Sequence, residues 1–194
     1  VASLRAASGV SAITAGGART LMLGMRQSGT GPATPFRDPR VREAVARAID
    51  VETLNQKIYL GLAVPAGLIV APPLAGFPKA LNGRPVYDPD RARRLLGEAR
   101  AGLGRLPLGL DCPSGHYMRD SALCAGIAEM LTQAGLPTQV HSAPPDSYFA
   151  KVLKRESAFF LLGWLPNTLD VAGTLTALAA CPETTRPGQA AEPG

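Results

Sequence analysis

The chain predicts an α/β fold in which helices pack on a mixed, largely parallel sheet. Three observations carry this. From Leu106 onward, strand-like and helix-like segments alternate in the order strand, helix, strand, helix, strand, helix. The helical segments have written-in starts and stops, such as Asp38-Pro39, Asp88-Pro89, Gly61, Gly102 and Gly135. Two short runs, Thr20–Met25 and residues 158–163, are almost wholly apolar, as strands buried on both faces are.

Taken in order, Thr20–Met25 is the first predicted strand, and residues 26–33 form a polar, glycine-rich loop. Asp38 then caps a helix in which Val41, Ala44, Val45, Ala48 and Ile49 form one apolar stripe. Arg40, Glu43 and Arg47 lie off that stripe, with Glu43 and Arg47 spaced for an i,i+4 pair. Asp50 caps a second helix, residues 51–60, with Leu54 and Ile58 inward. The Pro/Gly-rich loop 62–87 is long and apolar, so it is expected to pack along the body. Residues 90–101 form a helix with Ala92, Leu95, Leu96 and Ala99 inward. Leu106, Leu108 and Leu110 alternate as in a strand, interrupted by Pro107. A helix follows at 120–134 (Leu123, Ile127, Met130, Leu131 and Ala134 inward), then a short strand at 137–142. Asp146 is expected to cap a helix carrying Phe149, Val152 and Leu153. The apolar run 158–163 reads as a central strand, residues 171–180 as a helix, and 181–194 as a disordered tail.

Composition narrows the function classes. The 194 residues are 46% hydrophobic and 18% charged, the balance of a soluble globular domain. The net charge of +5 comes with arginines on polar helix faces, Arg40/Arg42/Arg47 and Arg91/Arg93/Arg94. No basic run is interleaved with aromatics, so no nucleic-acid partner is expected. The longest uncharged stretch, 58–78, contains Pro65, Pro72, Pro73 and Pro78, which argues against a membrane span. The residues before the first strand do not read as a secretory leader, and the start at Val1 leads us to expect a fragment or processed chain. Cys112, Cys124 and Cys181 are an odd number without a CxxC pair, so they read as buried or incidental thiols.

No nucleophile elbow, phosphate loop or zinc-protease motif is present, and no cofactor is implied. Ser114 and His116 could form a nucleophile–base pair, but no acid is placed to orient the histidine. His116 and His141 are far apart without carboxylates at ligand spacing, so no metal site is expected. Two loops at predicted strand ends are better candidates for ligand contact: 113–117, with Ser114, His116 and Tyr117, and 163–170, with Trp164, Asn167 and Asp170. The single Trp offers a flat apolar wall with one donor, as easily a core or rim residue as a ligand contact.

The string PFRDPRVREAVARAID at 35–50 resembles the signature of the extracytoplasmic solute-binding proteins of family 5, the peptide, oligopeptide and nickel receptors of ABC importers. Their usual string runs P-F-x-D-x-R-V-R-x-A-h-x-x-A-I-D, with h apolar. YDPDRARRLLGEA at 87–99 resembles a second segment, Y-D-P-x-x-A-x-x-L-L-x-E-A, although Arg100-Ala101-Gly102 stands where the family has Gly directly. The resemblance implies a periplasmic-binding-protein type II-like lobe, incomplete by itself. Residues 1–19 would end the preceding lobe, 20–180 would form the second lobe, and 181–194 would be a disordered or truncated tail. It further implies a periplasmic or extracytoplasmic monomer that binds an oligopeptide or similar small solute between two lobes without changing it. ABC permease subunits would be its partners and its only link to the membrane. One lobe alone supplies half the contacts, so weak binding or none is expected of it. Peptide-binding relatives hold the peptide amino end with an acid three residues after a Gly-Trp pair; that position is Asn167 here, and Asp170 matches a second acidic position. Dipeptide-binding relatives carry an Arg in the loop where this chain has Ser114. Two alternatives remain open: a hydrolase using Ser114 and His116, and an inactive truncated gene product.

Overall fold

The computed structural model describes residues 15–27, 34–103 and 107–179, with positions 9, 11 and 13 before them. Four strands form one sheet: β1 (Thr20–Met25), β2 (Leu108–Pro113), β3 (Thr138–Ala143) and β4 (Phe159–Trp164), in the order β1-β4-β2-β3. β2 runs parallel to both β3 and β4, while β1 is antiparallel to β4. The expected mixed, largely parallel sheet is therefore present. The described residues also form six α-helices: α1 (Pro39–Ala48), α2 (Val51–Tyr59), α3 (Pro89–Glu98), α4 (Asp120–Gln133), α5 (Pro145–Leu153) and α6 (Val171–Leu178).

Local chemistry sets the helix ends as the sequence predicts. The carboxylates of Asp38, Asp50 and Asp88 accept from the N–H groups of Arg40, Thr53 and Arg91, and Pro39 and Pro89 occupy first-turn positions that need no donor. α2 ends in two left-handed residues, Leu60 (φ 56°) and Gly61 (φ 74°). A single 3-10 turn, Arg100–Gly102, extends the end of α3 where the chain departs from the family string. Glu43 and Arg47 form the expected pair at 2.8 Å.

The main core lies on one sheet face. Leu108, Leu110 and Cys112 of β2 and Phe159 and Leu161 of β4 meet Leu123, Cys124, Ile127 and Leu131 of α4, with the α1–α3 layer beyond. Phe36, just before α1, brings its ring to 5.0 Å from that of Phe159. The other face carries α5. There the buried Asp111 carboxylate accepts from Lys151 Nζ at 2.6 Å and Ser157 Oγ at 2.5 Å, with His141 Nδ1 at 3.7 Å. A buried carboxylate needs such partners.

Four expectations are corrected. β1 is an edge strand, half-buried along its length, and not a strand covered on both faces. Its apolar run is explained by one face on the core (Leu21, Leu23, Met25) and by Gly24 on the other, where a Cβ would stand 2.2 Å from the Phe160 ring. In α5 the N-cap is Pro144, not Asp146, and the fully buried side chain is Tyr148, whose hydroxyl donates to the Leu161 carbonyl; Phe149 packs partly buried against the core as expected, but Leu153 is 80% exposed. A backbone acceptor on β4 thus decides which face of α5 turns in. The loop 62–87 packs on the body only in part. Val70, Ala71 and Leu74 are buried against Ala18, Phe77 and Val171, and the Ala75 N–H donates to the Leu169 carbonyl at 2.8 Å, but Leu62, Val64, Leu81 and Val86 are exposed. Finally, Cys112 and Cys124 are not incidental thiols. They form a disulfide with Cα atoms 6.6 Å apart, both fully buried. The crossover from β2 lays α4 back over the strand, which brings together two cysteines separated by 12 residues. Cys181, the tail 181–194 and loop residues 28–33 lie outside the described residues.

Candidate functional site

The three parallel strands end at one edge of the sheet, at Pro113, Ala143 and Trp164. β1 begins at that same edge, because Thr20 pairs with Trp164. Both loops singled out in the sequence therefore emerge side by side, where ligands sit in open α/β sheets.

The loop after β2 is built around Asp120. Its carboxylate accepts from the N–H groups of Gly115 (3.2 Å), His116 (2.8 Å), Tyr117 (3.0 Å) and Ser121 (2.8 Å). Three successive N–H groups converge on one acid, a nest filled by the chain's own anion. Burial pushes the Asp120 carboxyl up, but the four N–H donors outweigh it and hold the group below its ordinary value. Arg119 precedes it with φ 56° and makes no side-chain cap, so the Asp alone organises the helix start.

That frame lays Tyr117 over the end of β4. Its hydroxyl accepts from the Gly163 N–H at 2.8 Å and faces the Gly163 carbonyl oxygen at 3.4 Å. Gly163 is required for this approach: a Cβ there would be 2.4 Å from the Tyr117 ring and 2.9 Å from Leu21. Burial raises the Tyr117 phenol, against the opposing pull of the Gly163 N–H and of Arg19. The His116 ring packs edge-on to Tyr117 (4.6 Å) and to Phe149 of α5 (4.8 Å). The Arg19 guanidinium lies 5.8 Å from the Tyr117 ring centroid. Arg19, Tyr117, His116 and Phe149 thus form one row across the sheet end.

Trp164 does not join that row. Residues alternate across a strand, so Trp164 faces away from Gly163, and its Nε1–H donates to Thr174 of α6 at 3.1 Å. Asp170 caps α6, accepting from the Gly173 N–H at 3.2 Å. Asn167 and Ser114 are exposed, and Ser114 Oγ makes no hydrogen bond to His116 among the described residues. The structure thus brings Tyr117 and His116 together, groups Trp164 with the Asp170 helix end, and leaves Ser114 and Asn167 on the rim. Arg19 and Phe149 were missed as site residues. Only the antiparallel pairing of β1 with β4 carries Arg19 to Tyr117, and no local signal announces it. A groove of about 480 Å³, lined by Arg93, Leu96, Arg100, Leu103 and Pro137, opens near the start of β2 and β3, at the opposite end of the sheet.

Among the described residues, no group of three or more His, Cys, Asp or Glu could hold a metal ion, and no helix is long and apolar enough to cross a membrane.

Residues 1–186 match the model of the bacterial extracellular solute-binding proteins, family 5. The chain belongs to this family. The glutathione-binding protein GsiB of Escherichia coli K12 is 30% identical over 154 residues, covering 75% of this chain and 29% of that protein. Di/tripeptide-binding protein 2 of Pseudomonas aeruginosa is 27% identical over 148 residues, covering 76% of this chain and 28% of that protein. The family-5 chain described here therefore spans under a third of these relatives' length. The periplasmic binding protein DppA of Helicobacter pylori, solved with the peptide STSA, superposes with a TM-score of 0.73 at 20% identity, covering 90% of this chain and 32% of that one. The oligopeptide-binding protein AppA of Bacillus subtilis, solved with a nonapeptide, gives 0.63 at 18% identity, covering 78% and 32%. The type II binding-protein fold expected from the sequence is the fold observed.

Proposed function

We propose that this chain serves as the second lobe, residues 20–180, of the substrate-binding component of an ABC importer. It takes an oligopeptide or similar small solute between two lobes and passes it unchanged to permease subunits. The observation that carries this reading, beyond family membership, is the polar, aromatic sheet edge formed by the loops after β2 and β4. Ser114, His116, Tyr117, Trp164, Asn167 and Asp170 are the proposed ligand-facing residues. Rings already held by a backbone bond (Tyr117), a side-chain bond (Trp164) and ring packing (His116) suit an extended ligand, because little order is lost on binding. The Cys112–Cys124 disulfide favours a periplasmic or other extracytoplasmic location, where such bonds persist. Solute binding without chemistry is also favoured by the engagement of His116 in ring packing rather than with Ser114. We take the working form as a monomer.

An NMR titration of the chain with trialanine tests the proposal and reads affinities as weak as millimolar. Shifts confined to 114–117 and 163–170 are expected. Shifts centred on the Arg93–Arg100 groove instead would remove the sheet edge as the binding surface.

A further inference from the structure

We infer that the sheet edge accepts an anionic group of its ligand, a carboxylate in a peptide-like solute, and that Arg19 is the residue that binds it. The inference rests on the solute-binding reading above and specifies which charge that site selects.

The charges at this edge are unequal. Arg19 is exposed at the start of β1, over the Tyr117 ring, and has no hydrogen bond or ion pair among the described residues. The acids at the two strand-end loops already accept backbone N–H donors. Asp120 is enclosed by four N–H donors, and Asp170 caps α6. Asn167, in the loop after Trp164, carries no charge. Asp146 is exposed in the first turn of α5, one turn before Phe149, so it belongs to the far end of the row from Arg19. Among the described residues, the cationic end of the row therefore has no acid that is free of backbone donors to pair a ligand ammonium.

Arg19 is also held in a way that suits anion capture. The face of a phenol ring attracts a guanidinium without using its N–H donors. Tyr117 is itself fixed by Gly163, so the guanidinium rests on a rigid support. Its planar fork stays open for a bidentate carboxylate contact.

Three probes separate the charge question from the binding question: trialanine, N-acetyl-trialanine (a carboxylate and no ammonium) and trialanine amide (an ammonium and no carboxylate). NMR titration of the chain and of Arg19→Gln and Arg19→Lys variants follows each. The acetylated acid is expected to bind the edge at least as tightly as trialanine, and the amide more weakly. Arg19→Gln is expected to weaken the acid roughly tenfold, the usual value of a charge-assisted contact, while leaving the amide unchanged. Arg19→Lys restores part of the loss, which a purely structural role for the arginine would not produce. Added salt weakens the acid more than the amide. If the amide binds better, or Arg19→Gln treats acid and amide alike, the charge assignment is overturned while the binding edge stands. If the probes shift the Arg93–Arg100 groove and not 114–117 or 163–170, the binding edge fails and the charge assignment fails with it.

Discussion

A Cβ placed on Gly163 would stand 2.4 Å from the Tyr117 ring. The candidate site thus depends on a missing side chain in β4 as much as on any group that is present. Gly163→Ala must displace either the ring or the β1–β4 pairing. We expect a loss of about 1–3 kcal/mol, as for overpacking in a well-filled region. This lowers the melting temperature by about 2–4 °C for each kcal/mol in a chain of this size. Thermal denaturation by circular dichroism checks it; an unchanged midpoint would mean that Tyr117 does not sit over Gly163.

Asp120 supplies a pH signature. Its carboxyl is held below the ordinary value, against burial, by backbone N–H donors. A depressed acid contributes stability that is fully present above its unfolded pKa, about 3.9, and is lost as pH falls through the lower folded value. Asp120→Asn is therefore expected to be less stable than the parent at neutral pH by about 2 kcal/mol or more. The gap should close as the pH drops below about 4. Urea unfolding of both proteins across that range measures it, and a gap independent of pH would contradict the N–H nest.

On the opposite sheet face, Lys151 and Ser157 satisfy the buried Asp111. Lys151→Met leaves a buried carboxylate with one hydroxyl donor and the more distant His141. A cost of about 1–3 kcal/mol is expected, below the full penalty for a broken buried pair because Lys151 is partly exposed. The double variant Lys151→Met/Asp111→Leu should recover much of it, since matched removal of both partners is better tolerated than removal of one. Denaturant midpoints of the two variants decide the matter.

The Cys112–Cys124 bond gives a counting test. Of the three cysteines, only Cys181 should react with a thiol reagent in the unfolded, unreduced protein, so mass spectrometry should find a single adduct. Cys112→Ala/Cys124→Ala is expected to lose about 2–4 kcal/mol, as the bond closes a short loop and its sulfurs fill the core. Three adducts before reduction would refute the pairing.

Most of the local architecture was legible in the chain. Asp38, Asp50 and Asp88 each cap a helix in the structure, and the apolar stripes of α1 and α3 are buried where periodicity put them. These features depend on neighbours within a few residues, and sequence spacing reports such neighbours directly. α5 was read less well. Its periodicity suggested Phe149, Val152 and Leu153; Phe149 does pack on the core, but Leu153 is exposed and Tyr148 turns inward to a backbone acceptor 13 residues away. The loops carrying Tyr117 and Trp164 were identified as strand-end loops, but periodicity could not show that the two rings fall on different sides of β4.

By itself, the sequence determined which segments become helices or strands, where those capped by Asp38, Asp50 and Asp88 begin, and which family string they spell, because capping and amphipathic period are short-range effects. Tertiary structure alone decided that β1 lies at an edge and runs against β4, that Cys112 meets Cys124, and that Arg19 rests on Tyr117. Those outcomes depend on strand order and crossover. Contacts between Arg19 and Tyr117, or between β1 and β4, join residues about a hundred or more positions apart, and they exist only once the whole sheet has closed.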